Sequence, residues 1–292
     1  MTAFRSIAIA LAPAAIVLAP SPALAQETAP DAAPEASLDT ERMIEVIETE
    51  ADTGKFMGAV LVAQGDTPVI DRAWGMADLE WDIANTTDTR FRIGSVSKQF
   101  TAVATLLLAE RGQLSLDAPI ATYLEDTPPA WEAVTVRNLL RHTSGIPSFT
   151  QLESFERDQY LPLSQDELIA TFSALPLEFE PGAKFTYSNS GYVLLSKIIE
   201  EVSGDSFSDF LDANIFAPLG MENSGLDDPA RILPRRAAGY SPAGDDVTVI
   251  NAPYNDMGIP SGAGAIYSTT HDLLKWQRGL FGGKLLSPAY LT

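Results

Sequence analysis

The sequence predicts an α/β fold in which an antiparallel hairpin, a long buried helix and a lobe of short helices are built together. Three observations carry this. Two apolar runs, residues 58–64 and 69–75, flank the turn residues Gly65-Asp66-Thr67, which is hairpin chemistry. A longer apolar run, residues 100–111, consists of good helix formers and stops at Gly112. From Leu116 to about Asn251 the signals are mostly short helices and Pro/Gly turns, the pattern of a helical lobe inserted after the hairpin and a central helix.

The elements follow in order. Arg5, the apolar residues 7–17 and the Ala23-Leu24-Ala25 site read as a secretory signal peptide over residues 1–25, cleaved after Ala25. Its apolar run is too short to span a bilayer. Residues 26–37, rich in Pro, Ala and acids, read as a flexible leader, and residues 38–292 as the folded domain. Export implies a periplasmic or secreted protein, and the mature chain carries no transmembrane segment. Met43, Val46 and Ile47 recur at helical spacing among acids, so residues 38–53 read as a surface helix.

The formal net charge of −20 excludes nucleic acid and anionic membranes as natural partners. The absence of cysteine excludes disulfides, thiol catalysis and Cys-ligated zinc. Two isolated histidines give no ligand cluster, so no metal or cofactor is expected. A small-molecule or peptide substrate is the expected partner; the oligomeric state is not legible.

Ser95-Val96-Ser97-Lys98 places a hydroxyl and an amine three residues apart where the long helix begins. On a helix such positions share a face, and a lysine kept neutral by burial can serve as the base that a serine nucleophile needs. The helix N-terminus adds N–H groups suited to an oxyanion. Alone the motif is weak, because 22 serines and 6 lysines produce such a pair readily by chance. Tyr187-Ser188-Asn189, between the Pro181-Gly182 turn and a helix starting near Tyr192, can present a phenol for proton transfer and an amide for orienting a carbonyl. In Leu139-Leu140-Arg141-His142-Thr143-Ser144-Gly145-Ile146-Pro147, His142 and Ser144 read as structural hydrogen-bonders at a helix end and tight turn.

Taken together with Phe216-Ala-Pro-Leu-Gly-Met221 and Pro260-Ser-Gly-Ala-Gly264, these segments closely resemble the serine β-lactamase and penicillin-binding superfamily. Specifically, the sequence looks like its Tyr-x-Asn branch: class C β-lactamases, D-alanyl-D-alanine carboxypeptidases and related esterases. The resemblance runs from about residue 40 to the end of the sequence. It implies a β-lactamase-like fold with an antiparallel sheet flanked by helices. It also implies Ser95 as the acylated nucleophile, Lys98 as its proton acceptor, Tyr187 as partner in the proton relay and Asn189 as substrate-orienting amide, with Gly262 and Gly264 structural. The family's third motif, a Lys- or His-x-Gly strand that also gives the second oxyanion N–H, has no counterpart after Tyr187. The chain is therefore expected to lack the C-terminal strands, leaving the hairpin without its strand partners.

Competing readings are weaker. Gly204-Asp205-Ser206-Phe207 suggests a GDS esterase, but its serine reads as a helix N-cap with Asp209 three residues on. A Ser-His-Asp hydrolase lacks a G-x-S-x-G elbow, and Thr269 with Asp272 makes His271 part of a helix start. A non-hydrolytic penicillin-binding or sensor-like relative, or an inactive truncated form, stays open as the alternative to an exported acyl-enzyme hydrolase acting on an ester, a β-lactam or a D-Ala-D-Ala peptide.

Overall fold

The computed structural model describes residues 38–244 and 248–291, so the expected signal peptide and leader lie outside the described residues. Helix α1 (Thr40–Asp52) precedes the hairpin β1 (Gly58–Gln64) and β2 (Thr67–Trp74), then a smaller hairpin β3 (Met76–Asp78) and β4 (Ile83–Ala84). Strand β5 (Phe91–Arg92) leads through a 3-10 turn, Gly94–Val96, into the long helix α2 (Ser97–Glu110). The lobe beyond carries α3 (Val136–Leu140), α4 (Phe155–Asp158), α5 (Gln165–Ser173), α6 (Asn189–Ser203), α7 (Phe207–Leu211) and α8 (Ala217–Leu219). It also holds three short strands, β6 (Gly225–Leu226), β7 (Tyr240–Pro242) and β8 (Val249–Asn251). The short helix α9 (Ser261–Gly264), β9 (Ile266–Ser268) and α10 (Thr270–Phe281) follow.

Local chemistry explains the boundaries. Thr135 and Ser164 start α3 and α5 with capping boxes completed by Asn138 and Glu167. Ser206 caps α7 by accepting from the Asp209 N–H, and Gly204, at φ 78°, ends α6. The GDS tetrapeptide is therefore a helix end and a helix start, as its sequence suggests. Thr269 caps α10 through the Asp272 N–H.

The core forms around α2 and α6. Phe100, Ala104 and Leu108 of α2 and Val193, Leu194, Leu195 and Ile198 of α6 are fully buried. Each such aliphatic or aromatic side chain stabilises the fold by about 1.5–3 kcal/mol relative to exposure. Phe100 stacks on Trp276 of α10 at 4.1 Å and tilts against Phe216 at 5.6 Å. A helix wrapped on nearly all sides reads as a continuous apolar run rather than a stripe, which is the pattern of residues 100–111.

Two antiparallel sheets position the rest. Strands β5, β9 and β6 form a three-stranded sheet in the order β5-β9-β6, with Arg92 opposite Tyr267 and Tyr267 opposite Gly225. The middle strand is tied to the start of α2, because the Ile266 N–H donates to buried Ser97 Oγ at 3.1 Å. The hairpin β1–β2 pairs antiparallel with a bulge between Val62 and Ala63. Among the described residues no strand pairs with its outer edges.

The structure adds to the sequence reading and corrects one boundary. The hairpin's main packing partners are α1 and α10. Leu61 and Ala63 share a small cavity with Leu273 and Leu274, and Asp71 meets His271 Nε2 at 2.8 Å. The reason is that α2 is already enclosed by α6, α9 and α10, so the amphipathic α10 supplies the hairpin's apolar contact. The lobe also contributes β6 to the central sheet, a short strand in a stretch where helix and turn signals dominate the sequence. Helix α6 begins at Asn189 rather than near Tyr192.

Candidate active site

Ser95 lies exposed on the 3-10 turn immediately before α2, and Lys98 is buried in the first turn of that helix. The three-residue spacing spans the change from 3-10 to α and still brings the two together, with Lys98 Nζ 3.1 Å from Ser95 Oγ. Gly94, at φ 51°, makes the bend from β5 into this turn.

The Tyr187 hydroxyl donates to Ser95 Oγ at 2.8 Å across 92 positions of sequence. Lys98 Nζ lies 4.8 Å from the centre of the Tyr187 ring and 5.5 Å from that of Tyr192. Asn189, first residue of α6, accepts from Lys98 Nζ through Oδ1 at 2.8 Å. The four residues singled out from the sequence thus converge on one point. His271 lies apart from it, paired with Asp71 beside the hairpin.

Three partners escaped the sequence reading. The Ala263 carbonyl accepts from Lys98 Nζ at 2.7 Å, and the adjacent Gly262 carbonyl accepts from Thr101 Oγ1 at 2.7 Å. The glycine segment therefore presents successive carbonyls to two side chains one turn apart on α2. Only glycine allows this approach: a Cβ at position 262 would sit 2.7 Å from the Tyr192 carbonyl oxygen and 2.9 Å from Ser196 Cβ. Ser148 and Thr150 hold Asn189. Ser148 Oγ accepts from the Asn189 N–H at 3.1 Å, and Asn189 Nδ2 donates to Thr150 Oγ1 at 3.0 Å. A backbone carbonyl leaves no side-chain signature, and a serine and threonine about 40 positions away form no motif, so neither was visible in sequence.

The LLRHTSGI segment underlies the Tyr187 loop. Carbonyls of His142, Thr143 and Gly145 accept from the N–H groups of Thr186, Gly182 and Glu178 at 2.8–2.9 Å. Gly145 has φ 78°, and a Cβ there would lie 2.1 Å from the Phe179 carbonyl oxygen, so the two chains meet only because the residue is glycine. Ser144 Oγ accepts from the Ile146 N–H, and His142 Nδ1 from the Ser188 N–H at 3.2 Å. Both are the structural hydrogen-bonders that the sequence indicated.

Electrostatics follow from burial. Burial pushes the Lys98 amine below the ordinary lysine range, while a hydrogen bond to Tyr187 and its charge pull the other way. Burial, with a smaller contribution from Tyr187, pushes the Tyr192 phenol up to about 12, so Tyr192 stays protonated and donates to the Leu140 carbonyl. A neutral Lys98 gives its two N–H groups to Asn189 Oδ1 and the Ala263 carbonyl, which leaves the nitrogen lone pair facing the Ser95 hydroxyl. That is the geometry for taking a proton from serine.

These features have the make-up that nucleophilic chemistry on a serine needs, and the comparisons show the family. A family model described as Beta-lactamase matches residues 43–292, and the chain belongs to that family. It is 32% identical over 232 residues to PbpX of Bacillus subtilis (strain 168), which carries the name of a penicillin-binding protein; the match covers 80% of this chain and 56% of the relative. It is 26% identical over 244 residues to Protein flp of Staphylococcus aureus (strain N315), covering 82% of this chain and 48% of the relative. The chain thus spans about half the length of these curated relatives. Among solved structures, a penicillin-binding protein from Bacillus halodurans superposes with a TM-score of 0.75 at 32% identity, covering 84% of this chain and 75% of the other. A D-amino acid amidase from Ochrobactrum anthropi SV3 superposes with a TM-score of 0.73 at 30% identity, covering 87% and 73%. Among the described residues no helix is long and apolar enough to cross a membrane, and no group of His, Cys, Asp and Glu is arranged to hold a metal ion.

Proposed function

We propose that this protein is an exported serine hydrolase that works through an acyl-enzyme on Ser95. The observation that carries the reading is the convergence of Lys98 Nζ and Tyr187 OH on Ser95 Oγ, at 3.1 and 2.8 Å. Lys98 takes the Ser95 proton as Oγ bonds to the substrate carbonyl carbon. The bond from that carbon to the leaving group then breaks, and the proton passes through Lys98 and Tyr187 to the departing atom. Water resolves the acyl-enzyme by the reverse relay. The N–H groups at the start of α2 stabilise the oxyanion. Asn189 orients the substrate carbonyl, which requires its Nδ2 to exchange Thr150 for substrate.

Esters, β-lactams and D-amino-acid amides or peptides all present the carbonyl this chemistry needs. The penicillin-binding and D-amino acid amidase relatives favour the last two as first substrates to try.

The experiment uses a fluorophosphonate and a fluorescent penicillin on the whole gene product. Both should attach covalently to the wild type and neither to Ser95→Ala. Release of the penicillin within minutes marks a hydrolase, whereas lasting retention marks a penicillin-binding sensor. Equal labelling of wild type and Ser95→Ala contradicts the reading.

A further inference from the structure

His142 touches the Tyr187 loop in more ways than a turn residue needs. Its carbonyl accepts from the Thr186 N–H at 2.9 Å, and its ring Nδ1 accepts from the Ser188 N–H at 3.2 Å. Those donors flank Tyr187 on either side. Between them the imidazole lies 4.5 Å from the Tyr187 ring, tilted by 32°. One residue thus offers the loop two acceptors and a flat wall, in the manner of a neighbouring strand. To do so it adopts φ 54°, a left-handed conformation that is strained for any residue with a Cβ.

We propose that His142 is the positioning residue for Tyr187, and that it holds the tyrosine on Ser95 only while Nδ1 carries no proton. This rests on the reading of Ser95 and Tyr187 given above. The argument is one of hydrogen-bond inventory. A neutral imidazole with its proton on Nε2 accepts at Nδ1; an imidazolium donates at both nitrogens and has nothing to offer the Ser188 N–H. Protonation therefore sets two donors against each other 3.2 Å apart, one residue from the catalytic phenol. It also brings a cation toward Lys98 of α2, the one charged group that acts on the ring. The other faces are the rings of Tyr187, Tyr192 of α6 at 5.1 Å and Phe185 at 5.7 Å, which bring no carboxylate to compensate. Burial, joined by the Lys98 charge whenever that amine is protonated, holds the imidazole below its ordinary range, so the clamp is closed at neutral pH and opens in acid. A displacement of about 1 Å at Tyr187 is enough to cost about 100-fold in rate.

The test follows fluorophosphonate acylation from pH 4 to pH 9 in the whole gene product, with thermal melting in parallel. Two protonations, on Lys98 and His142, should give the wild type an acid limb that steepens from first to second order in proton concentration. His142→Asn places an amide oxygen where Nδ1 stood and tolerates the left-handed backbone. It should keep acylation within about 3-fold of wild type at pH 8 and reduce the acid limb to first order. His142→Ala should lose about 10–100-fold at pH 8. A His142→Ala variant that acylates at the wild-type rate, or a His142→Asn variant whose acid limb stays second order, overturns the proposal. Imidazole nitrogen NMR separates this failure from that of the parent reading, since it needs no acylation. The chain has two histidines, and a His271 variant assigns them. An unprotonated Nδ1 on His142 at pH 7 is required, and a protonated one overturns the clamp whatever the labelling shows.

Discussion

Lys98 is 6% exposed and has three oxygen neighbours, of which two are fixed acceptors and the third is Ser95 Oγ, the proposed nucleophile. Lys98→Ala should slow acylation of Ser95 by several orders of magnitude, measured as a labelling rate. Lys98→Arg should not restore it, because a guanidinium does not give up its proton in a protein. The pH dependence carries a sign. The folded amine binds its proton more weakly than the unfolded one, so between its lowered value and the ordinary lysine value of 10.5 the unfolded chain holds more protons. Stability should therefore rise with pH across that window, and Lys98→Met should flatten the rise in urea titrations; an unchanged slope would mean that Lys98 stays charged. At this scale the sequence showed the chemistry-bearing side chains, since Ser95 and Lys98 lie three apart and Tyr187 and Asn189 two apart. It could not show Ala263, whose contribution is a carbonyl 165 positions from Lys98.

Helices α2, α6 and α9 form the frame, and glycine decides how closely they approach. Gly145→Ala introduces both a left-handed alanine and a contact with the Phe179 carbonyl, and should lower stability by about 2–4 kcal/mol in chemical denaturation. A loss under about 0.5 kcal/mol would mean that the turn and the 178–186 segment are not held as described. Phe100→Ala, removing a fully buried ring between Trp276 and Phe216, should cost about 3–5 kcal/mol. The hairpin, α2 and the capped helix starts were legible because each rests on local signals: a Gly-Asp turn, a glycine stop, a Ser or Thr with its partner three residues on. Strands β6 and β9 were not, because two or three residues carry no period; they exist through pairing with β5 and with each other.

For the molecule as a whole, the β-lactamase-like fold was legible because five separate segments fall in one order, and the superposition on a penicillin-binding protein at a TM-score of 0.75 agrees. The seat of the hairpin was not, because neither of its faces names a partner. Strands β1 and β2 are mostly half-buried or exposed, and their attachment to α10 adds the Asp71–His271 contact at the surface. Asp71→Asn should change stability by less than about 1 kcal/mol, as exposed pairs do, and leave the acylation rate unchanged. A large drop in rate would couple the hairpin to the site in a way that the distances do not indicate.

The central claim is that Ser95, and no other serine, becomes acylated. Its most direct test is tryptic mapping of the fluorophosphonate-labelled protein by mass spectrometry. Cleavage after Arg92 and Lys98 yields Ile93-Gly94-Ser95-Val96-Ser97-Lys98, which contains two serines, so the adduct must be placed by fragmentation. Ser97 is fully buried with its oxygen engaged by the Ile266 N–H, while Ser95 is exposed beneath Lys98 and Tyr187. The adduct should sit on Ser95 alone. An adduct on Ser97, on Ser144 or on Ser206 of the GDS tetrapeptide would contradict the account.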